Sequence, residues 1–85
     1  MMSIKQVCDN LSNLLQEKND AYGNSALEPM KVFSKGSAVD SICARIDDKL
    51  MRIKNRGIND DTEDTLYDIC GYLVLLIVAR DNEKK

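Results

Sequence analysis

The sequence contains no histidine and no tryptophan, and it has few aromatic residues of any kind. Without histidine, the chain lacks an imidazole for a general base, for a Ser-His-Asp triad or for a zinc site. Any catalysis would depend on carboxylates, Lys, Tyr, Cys or a metal ion. Aromatic side chains make up only 5% of the chain, so a core of Ile, Leu, Val and Met is expected, which favours a small helical domain.

Cysteine and long apolar runs are also scarce. Cys8, Cys43 and Cys70 occur without any C-x-x-C pair, each at an apolar helical position, so we interpret them as small hydrophobic residues in a reducing compartment. The longest apolar run, 73–79, is far shorter than the roughly 20 residues of a membrane span. Polar residues such as Lys5 interrupt the start of the chain, so we expect no signal peptide, no membrane partner and a cytoplasmic location.

Length and charge further restrict the classes of protein to which this sequence can belong. A chain of 85 residues is expected to form a single domain, 1–85, with a marginal core that oligomerisation commonly supplements. Its 44% hydrophobic and 31% charged residues are the balance of a globular protein rather than a disordered one. The net charge of -2 argues against bulk binding of DNA or RNA, although a local basic cluster can still hold one small anion.

Apolar periodicity predicts three helices and an all-α fold. Ser3 and Gln6 fit a capping box, and the apolar spacing after them predicts a first helix that ends near Lys18 or Asn19. The segment 19–36 breaks this pattern and predicts a long connection between the first two helices.

Local signals also bound the second and third predicted helices. Ser37 is a suitable N-cap for the second helix, and Gly57 is a suitable C-terminal stop. The third helix is expected to start near Asp61, where Asp60 and Glu63 fit a second capping box.

The second half of the third helix, Leu73–Ala79, is apolar on every side. Three short helices of one chain cannot cover such a segment, so we expect a homo-oligomeric helical bundle that associates through it. The residues from Arg80 to Lys85 are expected to fray.

The most informative residues are Arg45, Asp48, Lys49 and Arg52, whose spacing places them on one face of the second helix. Three cations around one carboxylate suit a phosphate group, to which arginine offers forked donors. The alternative is a solvated network in which these cations pair with acidic residues of the third helix, and such exposed pairs contribute little stability.

Asp64 and Asp68 lie one helical turn apart and, with Asp48 on the neighbouring helix, predict a Mg²⁺ site. Such an ion would polarise a phosphoryl oxygen and activate water. The alternative is that Asp64 favours the helix N-terminus while Asp68 pairs with a cation of the second helix.

Lys18, Asn19 and Tyr22 flank the end of the first helix and are candidates for positioning a nucleotide, with Tyr22 stacking on the base. The alternative is an ordinary helix end. Tyr67 is interpreted as a packing residue with its hydroxyl at the surface, whereas Tyr72 shares the face of Asp68 and would line the same pocket.

Three segments together resemble a known family: KNDAYGNSALEP at 18–29, RIDDKLMRI at 45–53 and EDTLYDICGYLVL at 63–75. They are similar to the small bacteriophage proteins of nucleotide modification associated domain 1 and to the N-terminal helical part of phage dATP/dGTP diphosphohydrolase-like proteins. Both resemble the all-α nucleotide pyrophosphohydrolases of the MazG and dimeric dUTPase kind. The resemblance implies a helical, oligomeric, phage-type nucleotide-binding domain.

In those pyrophosphohydrolases, E-x-x-E and E-x-x-D motifs on two helices hold magnesium. This chain instead has R-x-x-D-K-x-x-R on the second helix, and Asp64 with Asp68 on the third. The resemblance implies Mg²⁺-dependent pyrophosphohydrolase activity. The smaller carboxylate set favours the alternative of a non-catalytic protein, either one that sequesters a nucleotide, such as a cyclic signalling nucleotide of host defence, or a regulatory adaptor.

Overall fold

The computed structural model describes residues 1–22 and 37–83, which form three α-helices. α1 spans Ile4–Tyr22, α2 spans Ala38–Arg56 and α3 spans Thr65–Glu83. No strand occurs in these two ranges, and the predicted all-α class is confirmed. The predicted long connection between the first two helices lies outside the described residues, except where α1 occupies its beginning.

The N-terminal caps of α1 and α2 are the predicted ones. In the capping box of α1, the Ser3 amide donates to Gln6 Oε1 at 2.7 Å and the Gln6 amide donates to Ser3 Oγ at 3.1 Å. In α2, Ser37 Oγ accepts a hydrogen bond of 3.1 Å from the amide of Asp40. The helix stops at Gly57, whose φ of 79° is a conformation that residues with a Cβ rarely adopt.

α1 continues beyond its predicted end, as far as Tyr22. Within this last part, Gln16 Nε2 donates to Asp20 Oδ1 at 2.9 Å, a contact between side chains one turn apart. Asn and Asp lower helix propensity by less than about 1 kcal/mol each. Asn19 and Asp20 therefore do not terminate α1, and the prediction that the helix ends near Lys18 or Asn19 is wrong.

α3 begins at Thr65 rather than near Asp61, and Asp64 is its cap. Asp64 Oδ1 accepts a hydrogen bond of 3.2 Å from the amide of Tyr67, two residues inside the helix. The predicted capping box is wrong, because the carboxylate of Asp60 is engaged in the turn that precedes the helix.

α2 and α3 form an antiparallel pair joined by the short connection 57–64. Lys49, in the second half of α2, lies 3.2 Å from the carboxylate of Asp68 in the first turn of α3. Ser41 and Leu75, further from the connection, line the same cleft. This pairing brings the charged face of α2 against α3 along the length of the cleft.

The hydrophobic core formed by the described residues is small. Among the described residues, the buried hydrophobic side chains are Ile42 and Ala79, each 3% exposed. The burial of Ala79 anchors the end of α3, which stays helical to Glu83, so the predicted fraying from Arg80 onwards is wrong as far as Glu83. None of the described helices is both long and apolar enough to cross a membrane.

α1 packs on α3 where the absence of a side chain at Gly71 allows a close approach. A Cβ at this position would lie 2.9 Å from Leu15 Cδ2 and 3.9 Å from Leu11 Cδ1. The leucines of α1 therefore rest on the backbone of α3, which brings the end of α1 towards the cleft between α2 and α3.

All three cysteines are free thiols, as the sequence analysis interpreted them, but Cys8, Cys43 and Cys70 are exposed rather than packed. Apolar periodicity predicts that they lie on the apolar faces of their helices. Parts of those faces are not covered by the described residues, because three helices leave more apolar surface than they can bury among themselves.

Candidate functional site

A cleft of about 600 Å³ lies where the three helices meet. It is lined by five of the predicted site residues: Lys18 and Asn19 from α1, Arg45 and Lys49 from α2, and Asp68 from α3. This volume is within the range of small-molecule binding sites, roughly 300–1,000 Å³. The fold thus brings to one surface residues that are up to fifty positions apart in the sequence.

The rest of the cleft is apolar and aromatic, with walls formed by Leu14, Leu15, Ile42, Tyr67, Tyr72 and Leu75. Tyr72 lines the cleft as predicted. The predicted surface position of the Tyr67 hydroxyl is wrong, because its oxygen is buried and has no hydrogen-bond partner among the described residues. A buried hydroxyl without a partner typically costs about 1–3 kcal/mol.

Lys49 already has two carboxylate partners. Its Nζ lies 2.8 Å from Glu63 Oε1 and 3.2 Å from Asp68 Oδ2. The hydrogen bond to Glu63, followed by that to Asp68, raises the pKa of Lys49 against the opposing effect of desolvation. Lys49 therefore belongs to a salt-bridge network that joins α2 to α3 and the connection before it, which is the predicted alternative to phosphate binding.

Arg52 is also paired. Its Nε lies 2.6 Å from Asp60 Oδ2 and 3.1 Å from Glu63 Oε1, and its guanidinium also donates to the hydroxyl of Thr62. Together with Asp48 it lines a smaller neighbouring cavity of about 370 Å³. Arg52, the third predicted phosphate-binding cation of α2, therefore lies outside the main cleft.

Asp60 is the centre of this second group of contacts. Its Oδ1 accepts from the hydroxyl of Thr62 at 2.7 Å and from the Thr62 amide at 2.9 Å. These bonds, followed by the one from Arg52, hold the pKa of Asp60 far below its usual value. Asp60 therefore stays ionised and fixes the turn before α3.

Two of the predicted cations have no such partner. Lys18 of α1 and Arg45 of α2 are exposed side chains that line the main cleft, and neither forms a hydrogen bond or an ion pair with a described residue. Since the carboxylate of Asp68 faces Lys49, no carboxylate of the described residues that line the cleft pairs with Lys18 or Arg45. The chain as a whole carries a net charge of -2, so this concentration of positive charge is local.

The three aspartates predicted to hold Mg²⁺ have separate surroundings. Asp48 is exposed beside the smaller cavity, Asp64 caps α3 and Asp68 pairs with Lys49. Within 1–22 and 37–83, no three side chains of His, Cys, Asp or Glu are grouped so that they could hold a metal ion. Mg²⁺ binding stays a prediction, because Mg²⁺ needs only one or two protein carboxylates where phosphates and water complete its shell.

Tyr22 is the last residue of α1, and its side chain lies outside the described part of the structure. Sequence analysis missed the role of Glu63 and Asp60 as partners of the cations, because both were assigned to a helix cap. The signal that could have found them is the concentration of four acidic residues within 60–64, which exceeds what one cap uses.

Comparison with known proteins finds no family model, no curated relative and no solved structure that matches this chain. The resemblance to nucleotide-processing phage proteins therefore stays an expectation, and the functional argument depends on the geometry of the cleft.

Proposed function

We propose that the main cleft binds a nucleotide or a similar phosphorylated small molecule, with Lys18 and Arg45 contacting the phosphates. The observation that carries the proposal is the presence of two cations, without partners among the described residues, at a largely apolar cleft of about 600 Å³. Lys49 and Arg52, in contrast, are held by carboxylates of the connection between α2 and α3. Arginine and lysine side chains without such a partner are suited to an anion from solution.

The remaining lining favours a ligand with a flat, partly apolar body. Tyr72 and the leucines of α1 provide surface against which a base can pack. A purely inorganic anion would use the cations but not these walls. The expected ligand therefore combines phosphate with a ring system, as nucleotides and cyclic nucleotides do.

Binding is proposed as the primary activity, and Mg²⁺-assisted pyrophosphohydrolysis as an extension of it. Asp68 is the one predicted metal ligand that lines the main cleft, and it is paired with Lys49. To hold Mg²⁺ together with the phosphates, Asp68 would have to share its carboxylate with Lys49. This requirement supports binding without catalysis more strongly than it supports hydrolysis.

The proposal is tested by thermal denaturation in the presence of nucleoside triphosphates, cyclic nucleotides and tripolyphosphate. A ligand at a hundred times its Kd stabilises the folded state by about 2.7 kcal/mol, which corresponds to a Tm increase of about 10 °C or more in a domain of this size. We expect a nucleotide to raise the Tm more than tripolyphosphate does, because only the nucleotide uses the apolar walls.

Matched variants identify the site. Arg45→Ala and Lys18→Ala should each weaken nucleotide binding by about tenfold or more, since a hydrogen bond to a charged group contributes about 1.5–3 kcal/mol. Lys54→Ala removes the same charge from an exposed position of α2 outside both cavities, and it should leave the affinity unchanged. If no nucleotide raises the Tm, or if Lys54→Ala weakens binding as much as Arg45→Ala, the proposal is wrong.

The same experiment distinguishes hydrolysis from binding. Mg²⁺ is added to each nucleotide, and the release of pyrophosphate or phosphate is measured at high protein concentration. Product release that disappears in Asp68→Asn would support the catalytic extension. Binding without any product would support a protein that sequesters nucleotides.

A further inference from the structure

One face of α3 carries six exposed apolar or thiol side chains: Leu66, Cys70, Leu73, Val74, Ile77 and Val78, together called the α3 stripe. The five aliphatic residues keep between 39% and 56% of their surface exposed. Asp68, a charged residue in this part of α3, points to the opposite side and pairs with Lys49. The stripe is therefore an uninterrupted apolar surface that the described part of the chain does not cover.

The exposed apolar area of the stripe is comparable to that of interaction sites on small proteins. Its exposed side chains amount to roughly 400 Å² of apolar surface, and patches of about 300–600 Å² on small proteins are often functional. Two such stripes facing each other would remove roughly 800 Å² of apolar surface from water. That is the apolar share of an interface of about 1,200 Å², which is the lower end of the range for specific protein pairs.

We propose that the α3 stripe pairs with the same stripe of a second copy of this chain, with the two α3 helices antiparallel. The central residues Leu66, Cys70, Leu73 and Ile77 are separated by four, three and four positions, the spacing of a coiled-coil seam. This spacing is the same in both directions along the helix. A two-fold contact requires such self-complementarity, since each surface must match itself when it is reversed.

The helix dipole supports the antiparallel orientation. Reversal about the middle of the stripe places Leu66 opposite Ile77 and brings the C-terminal end of each α3 beside the N-terminal end of the other. A parallel pair would align the two helix dipoles unfavourably. The side-chain charges at the C-terminal end do not select an orientation, since Arg80 lies beside the exposed carboxylates of Asp81 and Glu83.

The proposed dimer is independent of the proposed nucleotide site. The cleft is lined by Asp68, Gly71, Tyr72 and Leu75, which lie on other faces of α3. Two copies can therefore associate through the stripe while both clefts stay open. Loss of the dimer need not abolish nucleotide binding, so failure of one proposal does not imply failure of the other.

Sedimentation equilibrium of the full chain, from low to high micromolar concentration, tests the association. We expect a mass twice that of one chain at high concentration. Leu73→Glu and Ile77→Glu each place a charge in the seam and should leave a monomer, with the helical circular dichroism retained because both positions are exposed. Leu50→Glu is the matched control, since Leu50 is 53% exposed on α2 outside the stripe, and it should remain dimeric.

Cysteine cross-linking tests the orientation. In a background in which Cys8, Cys43 and Cys70 are replaced by serine, Leu66→Cys and Ile77→Cys are prepared separately and then mixed. The antiparallel arrangement predicts disulfide-linked dimers only in the mixture, whereas a parallel arrangement gives them with each variant alone. A wild-type monomer at high micromolar concentration, a dimer that survives both stripe variants, or self-linking of Leu66→Cys would overturn the proposal.

Discussion

Arg52 Nε lies 2.6 Å from Asp60 Oδ2, and the side chain of Asp60 is only 1% exposed. The contact joins the last turns of α2 to the turn that precedes α3, so it fixes the angle at which the two helices leave their connection. Thr62 donates to the same carboxylate through its amide and its hydroxyl. Three donors thus hold one charged group in place, which explains why its proton affinity is so low.

Acid should destabilise the protein through Asp60. Because the pKa of Asp60 is lower in the folded state than its usual value of 3.8, its contribution is complete above pH 4 and is lost as the pH falls towards the folded pKa. Asp60→Asn should lower the free energy of unfolding at neutral pH, and its difference from wild type should shrink as the pH falls below 4. Urea denaturation across this pH range measures both.

Asp9→Asn is the control for the acid experiment. Asp9 forms an exposed pair of 2.6 Å with Lys5, one turn away on α1, and such pairs contribute little to stability. Its unfolding curve should follow wild type at every pH. An Asp60 variant that behaved in the same way would show that the turn does not depend on this carboxylate.

Replacement of Lys49 and replacement of Arg45 should have different effects on stability, although both residues line the cleft and lie one turn apart on α2. Lys49→Ala removes the described cation partner of Asp68 and leaves Glu63 with Arg52 alone, so the free energy of unfolding should fall. Arg45→Ala removes an exposed side chain without a described partner and should change stability by no more than about 0.5 kcal/mol. Equal losses of stability in the two variants would contradict the division between structural and ligand-binding cations.

Asp64 should act as a helix cap. Replacing it with alanine removes the acceptor of the Tyr67 amide, and loss of an N-cap typically costs about 0.5–2 kcal/mol, or a few degrees in Tm. Asp64→Asn keeps an acceptor at this position and should be close to wild type. If Asp64→Ala left the Tm unchanged but abolished Mg²⁺ binding, the predicted metal role would be favoured over the cap.

Gly71 should tolerate replacement by alanine but not by a residue with a large side chain. In Gly71→Ala the gain in helix propensity, about 1 kcal/mol, offsets the displacement of one methyl group of Leu15, so the free energy of unfolding should change little. Gly71→Leu overfills the contact between α1 and α3 and should cost about 1–3 kcal/mol. Hydrogen exchange should then show faster opening of α1 than of α2, and unchanged protection of α1 would contradict this account of its docking.

Much of the fold could be predicted from local chemistry. The capping box at Ser3 and Gln6, the cap at Ser37 and the stop at Gly57 use contacts within a few residues, so the sequence signals them directly. The start of α3 was harder to locate, because Asp60, Asp61 and Asp64 are all suitable caps and only the pairing of Asp60 with Arg52 decides among them.

The candidate site was predictable as a set of residues but not as an arrangement. Helical spacing placed Arg45, Lys49 and Arg52 on one face of α2. It could not show that Glu63 would neutralise two of them, since a residue in a connection has no fixed direction relative to a helix.

The order of polar and apolar residues determined that this chain forms three capped helices, with a cationic face on α2 and an excess of apolar surface on α3, because both properties depend on spacing along a single helix. Tertiary structure alone decided which cationic side chains lack an ion-pair partner among the described residues. The antiparallel packing of α2 on α3 brings Asp68 to Lys49, and the docking of α1 beside Gly71 brings Lys18 to the same cleft as Arg45. Electrostatic pairing depends on distances of a few ångströms between elements, and only the packed helices set those distances.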